Sequence, residues 1–126
     1  MQDGKFVVLV VDDDADIRFS LKAVLEANGY KVAEAATGED GLKVYRQATP
    51  DLLIVDLMME EVDAGTAFVK ELRALGNKAP IYMLSSVGDN LNMATDYAAL
   101  GLSGVLQKPL DAGTLLSILK SKLKKA

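Results

Sequence analysis

The chain has 126 residues, 50% of them hydrophobic and 25% charged, which suits one soluble globular domain at roughly 100–200 residues per domain and leaves no room for a second. It contains no Cys and no His, so disulfides, thiolate metal sites, cysteine nucleophiles, imidazole general bases and a phospho-histidine role are all excluded. Eighteen acids against 14 bases leave a net charge of −4, the wrong sign for a direct nucleic-acid partner, because a phosphate backbone demands a basic surface.

Phe6–Val11 (FVVLVV) is an unbroken, Val-rich apolar run that ends on Asp12-Asp13-Asp14. A continuous run that short predicts a strand buried on both faces, as parallel strands are. Asp14 or Asp16 is placed to cap a helix with apolar positions at Ile17, Leu21, Val24 and Leu25, and Asn28-Gly29 supplies its stop. Lys31–Ala36 reads as a second, weaker strand. Thr37 then caps a helix running through Gln47, with Leu42, Val44 and Tyr45 on its apolar side and Glu39 near its positive end. Pro50-Asp51 introduces a buried strand, Leu52–Val55, which again runs into an acid, Asp56. An acidic loop with Met58, Met59, Glu60, Glu61 and Asp63 leads to a helix around Gly65–Leu75, closed by Gly76. Pro80 precedes a strand at Ile81–Leu84 that ends on Ser85-Ser86, and another helix is expected near Asn90–Leu100. The fifth strand, Gly104–Gln107, ends on Lys108-Pro109. The last helix starts at about Asp111 and buries Leu115, Leu116, Ile118, Leu119 and Leu123, while lysines from Lys120 to Lys125 complement its negative end.

This is βα five times over. Parallel strands joined by right-handed helical crossovers predict a single doubly wound α/β domain over residues 1–126, a (βα)5 three-layer sandwich around a parallel five-stranded sheet. No segment approaches the ~20 apolar residues that a membrane span needs, and Met1–Lys5 is no signal peptide, so a cytoplasmic chain without membrane insertion is expected.

In open α/β sheets the ligand site lies beyond the carboxyl ends of the strands, near the topological switch point. Those ends carry Asp12 and Asp13 after the first strand, Asp56 after the third, Ser85 after the fourth and Lys108 after the fifth. Each residue alone has a bland reading as a cap, a turn residue or a solvated charge. Together the sheet brings three carboxylates, a hydroxyl and an ammonium to one edge. Two carboxylates ~4 Å apart repel by about 4 kcal/mol at an effective dielectric near 20, and Lys108 offsets only one charge. A divalent cation is the natural remainder, and an all-oxygen donor set without His or Cys selects Mg2+ before Zn2+. A hard metal, an exposed carboxylate, a lysine and a hydroxyl describe an aspartyl-phosphate site, because carboxylates are accepted nucleophiles for phosphoryl transfer.

VLVVDDDADIR, PDLLIVDLMMEEVDAG, PIYMLSS and VLQKPL, in this order and spacing, resemble the receiver domain of two-component response regulators, over essentially the whole chain. The resemblance implies the flavodoxin-like strand order 2-1-3-4-5. It implies that Asp56 accepts a phosphoryl group from a phospho-histidine on a partner, either a sensor histidine kinase or a histidine phosphotransfer protein. Asp13 would hold Mg2+ directly and Asp12 directly or through water, with Asp56 and the backbone carbonyl of Met58 completing the protein ligands. Lys108 would pair with the phosphoryl oxygens, and Ser85 would move inward to meet them. Ser85, Ser86, Val105 and Pro109 fall on the family's switch positions. The family's output face, the helix near Asn90–Leu100, the fifth strand and the last helix, would here draw on Leu91, Met93, Tyr97 and Leu106 to bind a downstream protein target.

Two departures from the family pattern stand out, at the loop after Asp56 and at Val105, and a further inference concerns Met58 and Val87. Glu60 and Ala64 replace a proline and a glycine in the loop after Asp56. Val105 replaces the aromatic residue whose ring usually swings inward, and a β-branched side chain with few rotamers is no such lever, so coupling must run through loop motion. By the resemblance, Met58 and Val87 flank the path of an attacking water. Both are apolar and cannot orient it, which implies slow self-hydrolysis of an Asp56 phosphate.

The expected role is a stand-alone phosphoacceptor that is not an enzyme in the ordinary sense and signals by protein–protein contact. No helix-turn-helix or basic recognition helix is encoded. Two rivals remain. A receiver-like scaffold working without phosphorylation would keep the fold and ignore the site. A Mg2+-dependent aspartyl phosphohydrolase of the haloacid-dehalogenase type wants a second Asp two residues past the nucleophile, where this chain has Met58.

Overall fold

The computed structural model describes residues 4–56, 64–85, 102–107 and 111–123. The element order is β1 (Val7–Val11), α1 (Ala15–Ala27), β2 (Lys31–Ala35), α2 (Gly38–Ala48), β3 (Leu52–Asp56), α3 (Ala64–Ala74), β4 (Ile81–Ser85), β5 (Gly104–Gln107) and α4 (Ala112–Lys122). The five strands form one parallel sheet in the order β2-β1-β3-β4-β5, the topology that the resemblance implies. The helix expected near Asn90–Leu100 lies outside the described residues.

Alternation along the strands sorts side chains to two apolar layers. Leu9, Val11, Leu53, Val55, Ile81 and Met83 face α2 and α3, where they meet Phe68, Val69 and Leu72. Val8, Val10, Leu52, Ile54, Tyr82, Leu84 and Leu106 face the opposite way and meet Leu21 and Leu25 of α1 and Leu115 and Leu119 of α4. Both β1 and β3 are buried along their whole length, as their unbroken hydrocarbon runs predict. Edge strand β2 is only partly covered until Ala35, which explains its mixed sequence. On α4 only Leu115 and Leu119 are buried. Leu116, Ile118 and Leu123 pack on the rim of the layer, because the buried stripe of a helix against a sheet is narrower than the full apolar set.

The helix ends follow local chemistry. Asp14 caps α1 by accepting from the amides of Asp16 and Ile17. Thr37 Oγ1 accepts from the Asp40 amide at the start of α2. Asn28 closes α1, followed by Gly29 at φ 89°, in the left-handed region that glycine enters at no steric cost. Gly41 lets α2 approach closely: a Cβ there would sit 2.9 Å from Phe68 Cε1 and 3.2 Å from Val11 Cγ2. Gly104 does the same on β5, where a Cβ would meet the Tyr82 ring at 2.9 Å.

Candidate acidic site at the carboxyl edge of the sheet

The register of the two central strands builds the site. Val11 of β1 pairs with Val55 of β3, so the next residue on each strand, Asp12 and Asp56, falls at the same edge. This is also where the strand order reverses: α1 leads out to β2, and the chain then returns past β1 to β3, the crevice in which α/β sheets bind ligands. Asp12 is buried (0% exposed), Asp56 is buried (4%) and Asp13 is exposed. One carboxylate oxygen from each of the three lies within 4.8 Å of the others.

Asp12 is held from several sides. Its amide donates to the carbonyl of Ala35 at 3.1 Å, which continues the β1–β2 pairing one residue beyond the strands. Its Oδ1 accepts from the Asp14 amide at 2.9 Å. Its backbone carbonyl accepts from Arg18 Nη1 at 2.6 Å, and Arg18 Nε in turn donates to Glu34 Oε1 of β2 at 3.1 Å. The acidic turn is therefore tied to β2 and to α1 at once. Asp51 plays a comparable part at the opposite end of the sheet, where its Oδ2 accepts from the Val7 amide at 2.8 Å.

Three carboxylates this close, two of them out of water, repel strongly and suffer desolvation. A multivalent cation compensates both effects. The donor set fits one: all three ligand groups are hard carboxylate oxygens in a chain without His or Cys, the choice of a hard divalent ion.

The predicted residues divide clearly. Asp12, Asp13 and Asp56 come together. Ser85 is the last residue of β4 rather than the first beyond it, pairs with Gln107, and stands one position past Leu84, the partner of Asp56. Val105 pairs with Met83 and is partly exposed. Leu106 is buried at 6% exposure among the α1–α4 layer residues, so its side chain is a core residue and not part of an output surface; alternation turns it inward between two partly exposed or polar neighbours. Met58, Glu60, Ser86, Val87, Leu91, Met93, Tyr97, Lys108 and Pro109 lie outside the described residues. Arg18 and Glu34 went unassigned in the sequence. The one signal for Arg18 was its place four residues after the Asp14 cap, on the side of α1 that faces the strand end.

Comparison with known proteins agrees with this architecture. A family model for the response regulator receiver domain matches residues 8–120. The chain is 34% identical to the chemotaxis protein CheY of Bacillus subtilis over 117 residues, which span 92% of this chain and 96% of that protein. It is 35% identical to the probable transcriptional regulator ycf27 of Pyropia yezoensis over all 126 residues, which span only 51% of that longer protein. Among solved structures, chemotaxis protein CheY4 of Vibrio cholerae superposes with a TM-score of 0.85 at 34% identity, covering 95% of this chain and 100% of that one. A response regulator from Chloroflexus aurantiacus superposes with a TM-score of 0.83 at 32% identity, covering 96% and 99%. Among the described residues, no helix is long and apolar enough to cross a membrane.

Proposed function

The chain belongs to the response regulator receiver domains of two-component signalling, and on that premise we propose that Asp56 is a phosphoacceptor, charged by a phospho-histidine on a sensor kinase or phosphotransfer protein. The observation that carries the reading is the cluster of Asp12, Asp13 and Asp56, whose carboxylates lie within 4.8 Å of one another at the switch point of the sheet. Domains of this family are signalling proteins rather than turnover enzymes, and residues 1–126 are read as one such domain.

Asp12, Asp13 and Asp56, with the backbone carbonyl of Met58, would hold Mg2+, and a hard cation there neutralises charge on the transferring phosphoryl oxygens. The chain's own residues do the rest. Burial strips water from the Asp56 carboxylate and fixes its direction at the end of a rigid central strand, so that the nucleophile costs little to orient. One Asp56 oxygen attacks phosphorus as the bond to the donor imidazole breaks, and the imidazole nitrogen leaves with the electron pair. Lys108 is assigned to the phosphoryl oxygens as a point charge, and the Ser85 hydroxyl to a hydrogen bond that exists only after transfer.

Switching then follows from differential contact. Moving a two-state equilibrium from 1:99 to 99:1 takes about 5.5 kcal/mol, within reach of a new dianion with a lysine and a hydroxyl to meet it. Ser85, Ser86 and Pro109 are the coupling positions. Val105, lacking a ring, leaves loop motion as the transmission, and the protein target would be read by the surface that includes the segment 90–100, β5 and α4. The acidic charge balance speaks against nucleic acid as that target. A cytoplasmic location belongs to the same proposal, supported by the likeness to chemotaxis protein CheY.

The test is direct. With Mg2+ and a small phosphodonor such as acetyl phosphate, the protein should gain the mass of one phosphoryl group, and Asp56→Asn should gain none. The phosphate should persist well beyond a few seconds, since Met58 and Val87 offer no polar group to aim water. An undiminished mass gain in Asp56→Asn, or none in the unaltered protein, overturns the assignment.

A further inference from the structure

Arg18 has no part in phosphoryl transfer as described, yet its guanidinium makes two directed contacts beside the acidic turn. Nη1 donates to the Asp12 carbonyl at 2.6 Å and Nε donates to Glu34 Oε1 at 3.1 Å. The side chain is only 17% exposed, and Lys22 Nζ stands 3.7 Å from the other Glu34 oxygen, which helps keep that carboxylate in place. A lone surface ion pair contributes little to stability. What distinguishes this one is its other end.

The Asp12 carbonyl belongs to the peptide unit that joins Asp12 to Asp13. The plane of that unit decides where the Asp13 Cα sits and so where its exposed carboxylate starts. The two flanking handles on Asp12, its amide on Ala35 and its Oδ1 on the Asp14 amide, fix Asp12 itself. Among the contacts described above, that of Arg18 is the one made to the peptide unit linking Asp12 to its neighbour. A planar guanidinium suits this task because it presents two N–H directions in a rigid fork, one for the turn and one for β2.

We infer that Arg18 is a positioning residue for divalent cation binding: it locks the Asp12–Asp13 peptide plane to edge strand β2, so that both carboxylates are presented together. The inference rests on the phosphoacceptor reading above, in that Asp12 and Asp13 are there to hold a cation. It makes a prediction opposite in sign to that of simple electrostatics. A positive charge close to a cation site opposes the cation, so its removal by Coulomb's law alone tightens binding. Loss of a positioning contact loosens it.

The experiment is a Mg2+ titration of the whole chain followed by backbone amide NMR shifts, with no phosphodonor present. Arg18→Met, which keeps an apolar stem of similar length, should weaken Mg2+ binding about tenfold, as removal of a group that orients a metal ligand typically does. Arg18→Lys should recover only part, because an ammonium reaches one acceptor but cannot span both. Glu34→Gln, whose amide oxygen still accepts from Nε, should bind Mg2+ close to normally. Unchanged or tighter binding in Arg18→Met overturns the inference. Should Arg18→Met fail to fold, Arg18→Lys decides instead, and binding equal to that of the unaltered chain overturns it. If the unaltered chain takes up no Mg2+ at millimolar concentration, the phosphoacceptor reading is what fails, and the role of Arg18 falls with it.

Discussion

Along β1 a single peptide bond separates hydrocarbon from charge. Val10 and Val11 are sealed between helix layers, while Asp12, the very next residue, is just as inaccessible to solvent but carries a carboxylate, and Asp13 beyond it is exposed. The same step occurs on β3 between Val55 and Asp56. In the layers, burial of a Val, Leu or Ile side chain stabilises the fold by roughly 1.5–3 kcal/mol. At the rim, burial of a carboxylate works against it. The sandwich carries a rim that weakens it, the arrangement expected where a site serves function before stability, and the proposed phosphoacceptor role would account for it.

The contrast breaks most severely from the apolar side. Leu53 is fully buried on the central strand β3, and Leu53→Ala should cost about 2–5 kcal/mol in urea unfolding, by the same amount with or without Mg2+. The rim should behave in the reverse way. Saturating Mg2+ should raise the stability of the unaltered chain, by about 2.7 kcal/mol at a concentration roughly a hundredfold above the dissociation constant. Asp13→Asn should lose most of that gain while leaving the metal-free protein no less stable, since one of three mutually repelling charges is gone. A stability increase that survives in Asp13→Asn would dissociate the metal from the acidic cluster.

A smaller effect comes from an acid at a helix start. The Thr114 backbone N–H, 2.8 Å from Asp111 Oδ2, keeps the Asp111 carboxyl below the usual carboxylate range, and the Thr114 hydroxyl at 3.0 Å adds to the shift. A depressed folded-state pKa means that this cap contributes above the ordinary carboxylate range and is lost as pH falls through the depressed value. Asp111→Asn should therefore flatten the acid limb of the stability profile slightly, independently of Mg2+. If the slope there is unchanged, the cap contributes nothing to acid unfolding.

Much of this was legible in the primary structure because the signals are local. Val-rich runs ending in acids, a cap at Asp14 or Asp16, the Thr37 cap, and glycines at helix ends each depend on a few neighbouring residues, and they reappear in the fold with Asp14 as the first cap. Leu106 illustrates what pattern alone misses: a leucine on a short strand reads equally well as surface or core until the neighbouring layer is in place, and here the α1–α4 layer covers it. Arg18 was opaque for a related reason. An arginine on an amphipathic helix ordinarily faces solvent, and only the spatial neighbourhood of the β1 end and Glu34, sixteen residues further along, gives it a task.

What the order of amino acids determined alone was the alternation of strands and helices, the chemical type of each strand end and the hardness of any ion those ends could hold, since these follow from side-chain composition and short-range periodicity. Tertiary structure decided which ends meet. The register that sets Val11 against Val55 brings Asp12 beside Asp56 across more than forty residues of chain, and the fork of Arg18 ties that turn to β2. Distances of that kind are products of pairing between segments remote in sequence, which no local preference encodes.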